Sequence, residues 1–319
     1  MNSKYIVFIL IIMLMTGCEA PLQLDDVLIE QQATTHRSDR LQQITSNGDV
    51  NVVVGSFGVI LTSMKEGGWK RQQIASQPSF IDVTHCPDKS FVALTLEGSI
   101  WTSLDNGLTW TEASLQSEET PQALTCAPDG TIWVVGSFST FLSSNNHGKT
   151  WQSISLDEDM ILSYIKFFDD KNAIVTAEFG SLLETNDGGK TWFAKNPMPN
   201  EFYPIASLFT SVNEGRVVGL SGKILFTDNG GETWLVEKSG TKAPLYGLSK
   251  GHNKIYATGA LGTFLVKNLA QENSPWQSIH QSTRSYLRGA LAFDDHVIVV
   301  GGKGFLENAS LVNSEKAND

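Results

Sequence analysis

Apolar positions in this chain come in short bursts divided by polar turns, and one stretch shows the pattern in full. Residues 164–168 (Tyr-Ile-Lys-Phe-Phe) alternate and predict a strand, and residues 169–172 (Asp-Asp-Lys-Asn) a turn. Residues 173–177 (Ala-Ile-Val-Thr-Ala) predict a second strand, which Gly180 breaks, and residues 181–185 a third. Asn186-Asp187-Gly188-Gly189 predicts a hairpin turn, and Thr191-Trp192-Phe193 opens a fourth strand. The whole sentence repeats. Trp69, Trp110, Trp151, Trp192, Trp234 and Trp276 recur every 41 or 42 residues. Gly58, Gly98, Ser139, Gly180, Gly222, Gly262 and Gly304 recur in phase with them, every 40 to 42 residues. Four short antiparallel strands per ~40 residues describe a propeller blade. The expected fold is therefore all-β, a seven-bladed β-propeller, with no helical period of useful length after the first eighteen residues.

The seventh unit is incomplete. Residues 287–293, 297–301 and 305–308 supply three strands, and no tryptophan turn follows. A ring needs its last blade closed, so the missing outer strand is expected from residues 26–31 (Asp26-Val27-Leu28-Ile29-Glu30-Gln31), which would tie the ends together and remove an open sheet edge.

The N-terminus reads as an export signal. Lys4 precedes an apolar run over residues 5–15, shorter than the ~20 residues a spanning helix needs. Met15-Thr16-Gly17-Cys18 resembles the bacterial lipobox. That resemblance implies removal of residues 1–17 as a signal peptide and acylation of Cys18 with palmitate-type chains. Residues 18–25 would form a lipidated tether and residues 26–319 the propeller. Several acyl chains anchor stably where one is marginal. Glu19 stands where inner-membrane retention usually has Asp, so the resemblance implies the periplasmic face of the outer membrane.

Charge narrows the partners. With 34 acidic against 23 basic residues and a net charge of −11, the chain lacks the clustered cations a nucleic-acid binder needs. Three Cys and six His exclude a multi-cysteine zinc scaffold. No metal and no cofactor is expected. Cys86 and Cys126 lie 40 residues apart, almost one repeat, at the ends of predicted innermost strands in adjacent blades. Export permits a disulfide between them, and free buried thiols are the alternative.

The turn between third and fourth strands carries the sharpest motif. Ser103 to Trp110 (with Asp105) and Thr185 to Trp192 (with Asp187) match Ser/Thr-x-Asp-x-Gly-x-Thr-Trp. Residues 144–151 and 227–234 fit with Asn146 and Asn229 in place of Asp. This resembles the Asp box, or bacterial neuraminidase repeat. A short carboxylate or amide accepts turn N–H groups, Gly permits positive φ, and Trp packs beside the blade. One turn-capping mechanism explains every copy, so these residues read as structural rather than catalytic.

Gly55-Ser-Phe-Gly58, Gly136-Ser-Phe-Ser139, Ala177-Glu-Phe-Gly180 and Gly259-Ala-Leu-Gly262, each followed by a box and Trp, resemble the photosystem II stability/assembly factor family and its relatives in non-photosynthetic bacteria. The resemblance implies a monomeric seven-bladed ring that binds membrane-protein subunits during assembly and performs no catalysis. Cyanobacterial members use an arginine patch. Here there are six arginines, among which Arg284 and Arg288 lie close in sequence, a thin set that points to another envelope complex as partner. Sialidases share the box but need three convergent arginines and a Phe/Tyr-Arg-Ile-Pro motif, which is absent. A glycan-binding or glycoside-hydrolysing propeller is the alternative, with Glu97 and Glu178 as its carboxylates.

In a propeller, the turns between second and third strands share one face with the connectors between blades. That face should hold Phe57, Phe138, Phe179 and Leu261, whose recurrence in register reads as blade-to-blade packing. It should also hold Tyr203, Arg284, Tyr286 and Arg288, residue types that anchor interfaces.

Overall fold

A computed structural model describes residues 25–64, 67–271 and 273–310. The expected signal peptide, Cys18 and the tether up to residue 24 lie outside them. Two compact units divide the chain at residue 33. Within the first, Asp25–Gln32 is an α-helix, extended by Ala33, whose N–H donates to the Ile29 and Glu30 carbonyls.

The second unit is a seven-bladed propeller. Blade 4 shows its plan: Leu162–Phe167, Ala173–Ala177, Leu182–Thr185 and Phe193–Ala194 pair antiparallel in chain order. Among the described residues, blades 1 to 6 each hold four such strands and blade 7 holds three: Leu287–Ala292, His296–Gly301 and Leu306–Ser310.

Burial explains the hydrophobic pattern. Second strands such as Phe91–Thr95, Ile132–Gly136 and Ala173–Ala177 are buried along their whole length, because a neighbouring blade covers each face. They therefore read as continuous apolar runs rather than alternating ones. Outer strands such as Thr111–Ser114 are short and open to solvent. The core is not one mass but seven layers, each between two blades. Between blades 3 and 4, for example, Phe141 stacks on Trp192 at 4.5 Å and Trp133 meets Phe167 at 5.1 Å.

The expected closing strand over residues 26–31 is corrected by the structure, since that stretch is helical. Leu28-Ile29-Glu30-Gln31 strings together good helix formers, and Asp25 and Asp26 suit a helix N-terminus. The ring closes instead through residues 34–40. Elsewhere, the connector leaving each blade crosses that blade's own second-to-third-strand turn. Gly58 N–H donates to Pro78 O in blade 1, and Met198 N–H donates to Gly180 O in blade 4. Residues 34–40 do the same for blade 7, from the other end of the chain: Gly304 N–H donates to Asp39 O, and Arg40 bridges Gly302 antiparallel. Arg71, on the outer strand of blade 1, grips Asp39 through two bonds of 2.7 and 3.0 Å and donates to Thr34 O at 3.3 Å. Leu41, Ile44, Val53, Val59 and Leu61 of blade 1 pack against Ile298 and Val300 of blade 7 to complete the seal.

The Asp boxes are local braces. In blade 4, Gly189 N–H donates to Thr185 Oγ1, Thr185 Oγ1–H donates to Asp187 Oδ1, and the Thr191 hydroxyl donates to Asp187 Oδ2 at 2.6 Å. The Thr191 hydroxyl, then its N–H, hold the Asp187 carboxyl down at about 2. Asp105 is braced identically by Ser103 and Thr109 and is likewise lowered. Asn146 and Asn229 keep the geometry, accepting the Thr150 and Thr233 N–H groups and donating Nδ2–H to the same hydroxyls. Box glycines lie against the preceding blade: a Cβ on Gly107 would stand 2.9 Å from Thr62 Cγ2. Of the box tryptophans, Trp151 Nε1 donates to Ser114 O of blade 2, and Trp192 is buried. Trp110 Nε1 donates within its own box to Gly107 O, and Trp234 packs against the layer between blades 4 and 5. Asp187→Asn is accordingly expected to leave the thermal midpoint unchanged, whereas Asp187→Ala lowers it. A melting series of the two variants checks this, and a drop with Asn would remove the brace account.

Blade 6 has lost most of its box, and a charged network takes over. Glu237 of blade 5 accepts from Trp276 Nε1 at 2.8 Å and from Arg216 at 3.2 and 3.3 Å, with Lys267 at 3.5 Å.

Candidate functional site

The innermost strands converge on a channel of about 310 Å³, to which all seven blades contribute. Its lining is polar, with Gln43, Asp82, Gln122, Lys166, Tyr246 and Arg288 among the residues. The first residues of most innermost strands carry a β-bulge, as between Leu287 and Gly289. The bulge leaves Arg288 unpaired in the ladder and placed in the channel wall. Asp82 occupies the same wall. It accepts Val83 N–H at 2.9 Å and Leu124 N–H at 3.2 Å, and is half-buried in the channel wall. Desolvation there pushes its carboxyl up to about 6, against the opposing pull of those two N–H groups, of Arg288 and of Gln43. Burial lowers the Lys166 ammonium. Burial and then Lys166 lower His85, which lies at the far end of its strand.

The Asp82 shift has a sign. A carboxyl raised in the folded state binds more protons folded than unfolded between pH ~4 and ~6, so stability falls as pH rises through that window. Asp82→Asn should flatten the fall between pH 5 and pH 7. Parallel melts at the two pH values are the check, and an unchanged slope would reject the channel assignment of this titration.

Around one mouth lie the second-to-third-strand turns. In six of the seven turns a backbone N–H reaches the connector that enters its own blade, as in Ser56 to Arg40 O, Leu96 to Ser79 O, Glu178 to Ile161 O and Gly302 to Tyr286 O. Glu97 and Glu178, the carboxylates of the glycosidase alternative, accept connector N–H groups in the same way. Glu97 takes Ser79 N–H at 3.0 and 3.1 Å, and Glu178 takes Ile161 N–H at 2.9 Å. Ser137 fills this role in blade 3, accepting Thr120 N–H. The two acids thus serve their own connectors.

The packing expected for Phe57, Phe138, Phe179 and Leu261 is corrected. All four are exposed, from 47% for Phe57 to 74% for Leu261. Blades 2 and 5 carry exposed Leu96 and Leu220 one residue earlier in the turn. Six of the seven turns therefore tip a large apolar side chain into solvent, and the seventh presents Lys303. The backbone forces this. Phe57, Phe138, Phe179 and Leu261 hold φ between 50 and 61°, a region bulky residues avoid. In that conformation the chain doubles back under the connector, and the side chain points away from it.

The four residues expected at the interface separate. Tyr203 is exposed beside the blade 5 turn, its carbonyl against Gly219. Arg284 borders a cavity of about 520 Å³ with Leu261, His280 and Thr241. Tyr286 is half-buried, accepts from Gln42 Nε2 at 3.4 Å and lies within electrostatic reach of Arg288 and Arg40. Burial raises its phenol, and the two cations oppose the rise. Arg288 lies in the channel. Ring closure thus builds a corner of Arg40, Tyr286 and Arg288 from opposite ends of the chain. Arg40 was missed from sequence because nothing local links it to residue 286. The Cys86 and Cys126 sulfurs are joined at the channel's other end, with Cα atoms 5.1 Å apart. Among the described residues no group of three or more His, Cys, Asp or Glu gathers as a metal site.

Residues 149–246, spanning blades 4 and 5, match the family model of the photosynthesis system II assembly factor YCF48. No curated protein sequence matches the chain. Among solved structures, YCF48 bound to D1 peptide is similar over 87% of this chain and 94% of its own, with a TM-score of 0.71 and 15% identity. YCF48 from Cyanidioschyzon merolae covers 87% and 97%, at 0.70 and 15%. A catalytically inactive virginiamycin B lyase from Staphylococcus aureus, with quinupristin, covers 86% and 96%, at 0.74 and 12%. At such identities the likeness concerns the fold, which therefore accommodates both peptide binding and an enzyme. With the repeat motifs, the blade count and the family model in agreement, this chain is a seven-bladed Asp-box propeller similar to the photosystem II assembly factor YCF48 family, matched directly over residues 149–246.

Proposed function

We propose that the chain is a periplasmic lipoprotein, held by acylated Cys18 to the outer membrane, that binds exposed segments of a membrane protein and acts as an assembly platform without catalysis. The observation that carries this reading is the turn face. The Arg40–Tyr286–Arg288 corner and exposed Tyr203 stand at the edge of a polar channel mouth. Aromatic and arginine side chains on a rigid ring are interface anchors. The neighbour bound to a D1 peptide supports the reading, and the engagement of Glu97 and Glu178 by their own connectors weighs against hydrolysis.

The test is in-cell photocrosslinking of the tagged lipoprotein from positions 203 and 284, followed by purification from membranes and mass spectrometry. Reproducible recovery of one integral-membrane complex is expected, and its loss in Cys18→Ala. Recovery of nothing above that control would defeat the platform reading.

A further inference from the structure

We propose that the six apolar turn tips seat the propeller on the lipid surface itself, with the turn face down and Phe57, Leu96, Phe138, Phe179, Leu220 and Leu261 entering the interfacial layer of the bilayer. This rests on the lipid-anchored reading above. Three observations lead to it. First, the tips are discrete: one side chain per blade, each on its own turn, in six of seven blades. A protein partner's hot spot is a central, packed cluster. A fluid layer needs no such match and accepts separate points. Second, the turns are committed to exposure. Positive φ at four of the six tips aims them outward, although Gly at those positions would remove both the backbone strain and the apolar exposure. Third, the chain ahead of the ring arrives on this face. Residues 35–40 cross the blade 7 turn, where Gly304 N–H meets Asp39 O. The 16 residues from Cys18 to Thr34 reach at most about 55 Å fully extended. Acylation of Cys18 would therefore hold the ring within reach of the lipid, by a tether that joins it at this face.

The seventh position fits as well. Lys303 stands at the tip of the blade 7 turn, also at positive φ, where a long cationic side chain can meet lipid phosphate while its stem stays with the apolar ring. Tyr203, exposed on the same face, is a residue type that settles at the membrane–water boundary. In this arrangement the channel mouth opens toward the membrane surface, where the termini and loops of membrane proteins emerge.

Two experiments test the seating. In the first, the unacylated Cys18→Ala chain is partitioned onto vesicles of phosphatidylethanolamine and phosphatidylglycerol. Phe57→Ser/Phe138→Ser/Phe179→Ser should lower the partition coefficient by about tenfold or more. Leu104→Ser/Leu108→Ser/Leu235→Ser, which removes exposed apolar residues away from the turn face, should leave it unchanged. In the second, the acylated chain is reconstituted into vesicles carrying nitroxide lipids, with a fluorophore at Phe179→Cys or Leu108→Cys. Quenching is expected at 179 and not at 108. Equal quenching at both positions, equal loss from both triple variants, or no vesicle binding by the unacylated chain would overturn the proposal. So would unchanged vesicle binding by the turn-face variant together with lost partner crosslinks, which would reassign the tips to a protein. The vesicle arms need no partner, so failure of the platform reading leaves them interpretable.

Discussion

Removing the Cys86–Cys126 bridge by Cys86→Ser/Cys126→Ser should cost about 4 kcal/mol of stability, the chain-entropy value for closing a loop of 40 residues. The bridge joins the ends of the innermost strands of blades 2 and 3, where the ring is narrowest. Those blades already share the layer of Leu94, Ile100, Leu124 and Val134. The variant should therefore fold, with a lower midpoint in guanidinium and a larger m-value, because the unbridged denatured chain is less compact. The wild-type chain in reductant should fall by the same amount. Equal midpoints in all three samples would show that the bridge constrains nothing the layer does not already hold.

Asp39→Ala should open the ring at its seam, at a cost of about 3–5 kcal/mol, the range for leaving a buried partner charge alone. Asp39 is 2% exposed and receives both Arg71 bonds and His36 N–H at 2.7 Å. Without it, Arg71 stays largely buried without its carboxylate, and residues 34–40 lose their clamp to blade 1. Loss should show twice: as a lower thermal midpoint, and as new protease cleavage confined to residues 34–40 at temperatures where the blades remain folded. Cleavage spread evenly over all blades would instead mean that the seam and the ring fail together. A midpoint shift within about 0.5 kcal/mol of wild type would mean that the layer of Leu41, Val53, Ile298 and Val300 closes the ring alone.

Much of this architecture was legible because its causes are local and repeated. Trp110, Trp151, Trp192 and Trp234 mark boxes whose hydrogen bonds close within eight residues or so, and such bonds are written into adjacent letters. The turn glycines are legible for the same reason. Ser139 is the informative exception: it takes positive φ and pins the connector by donating its hydroxyl to Glu158 O and accepting Glu158 N–H. What sequence hid was long-range or directional. Residues 26–31 were placed by counting strands, which is right about where the gap falls and silent about whether Leu28 to Gln31 prefer helix. The tips at Phe57, Phe138 and Phe179 recur in register as core residues do. Periodicity reports equivalence between blades, not which way a side chain points once φ turns positive. Arg288 was expected on the turn face, and a single bulge places it in the channel wall. Arg40 and Tyr286 meet only because the ring shuts.

The seven separate layers of the core bear on how such a chain changes over time. A substitution in the Phe141–Trp192 layer disturbs blades 3 and 4, and two blades away nothing touches it. Damage is quarantined, and each seam can drift at its own pace. The ring can thus tolerate divergence seam by seam, so that the outline is shared at 15% identity while the family model is matched over blades 4 and 5.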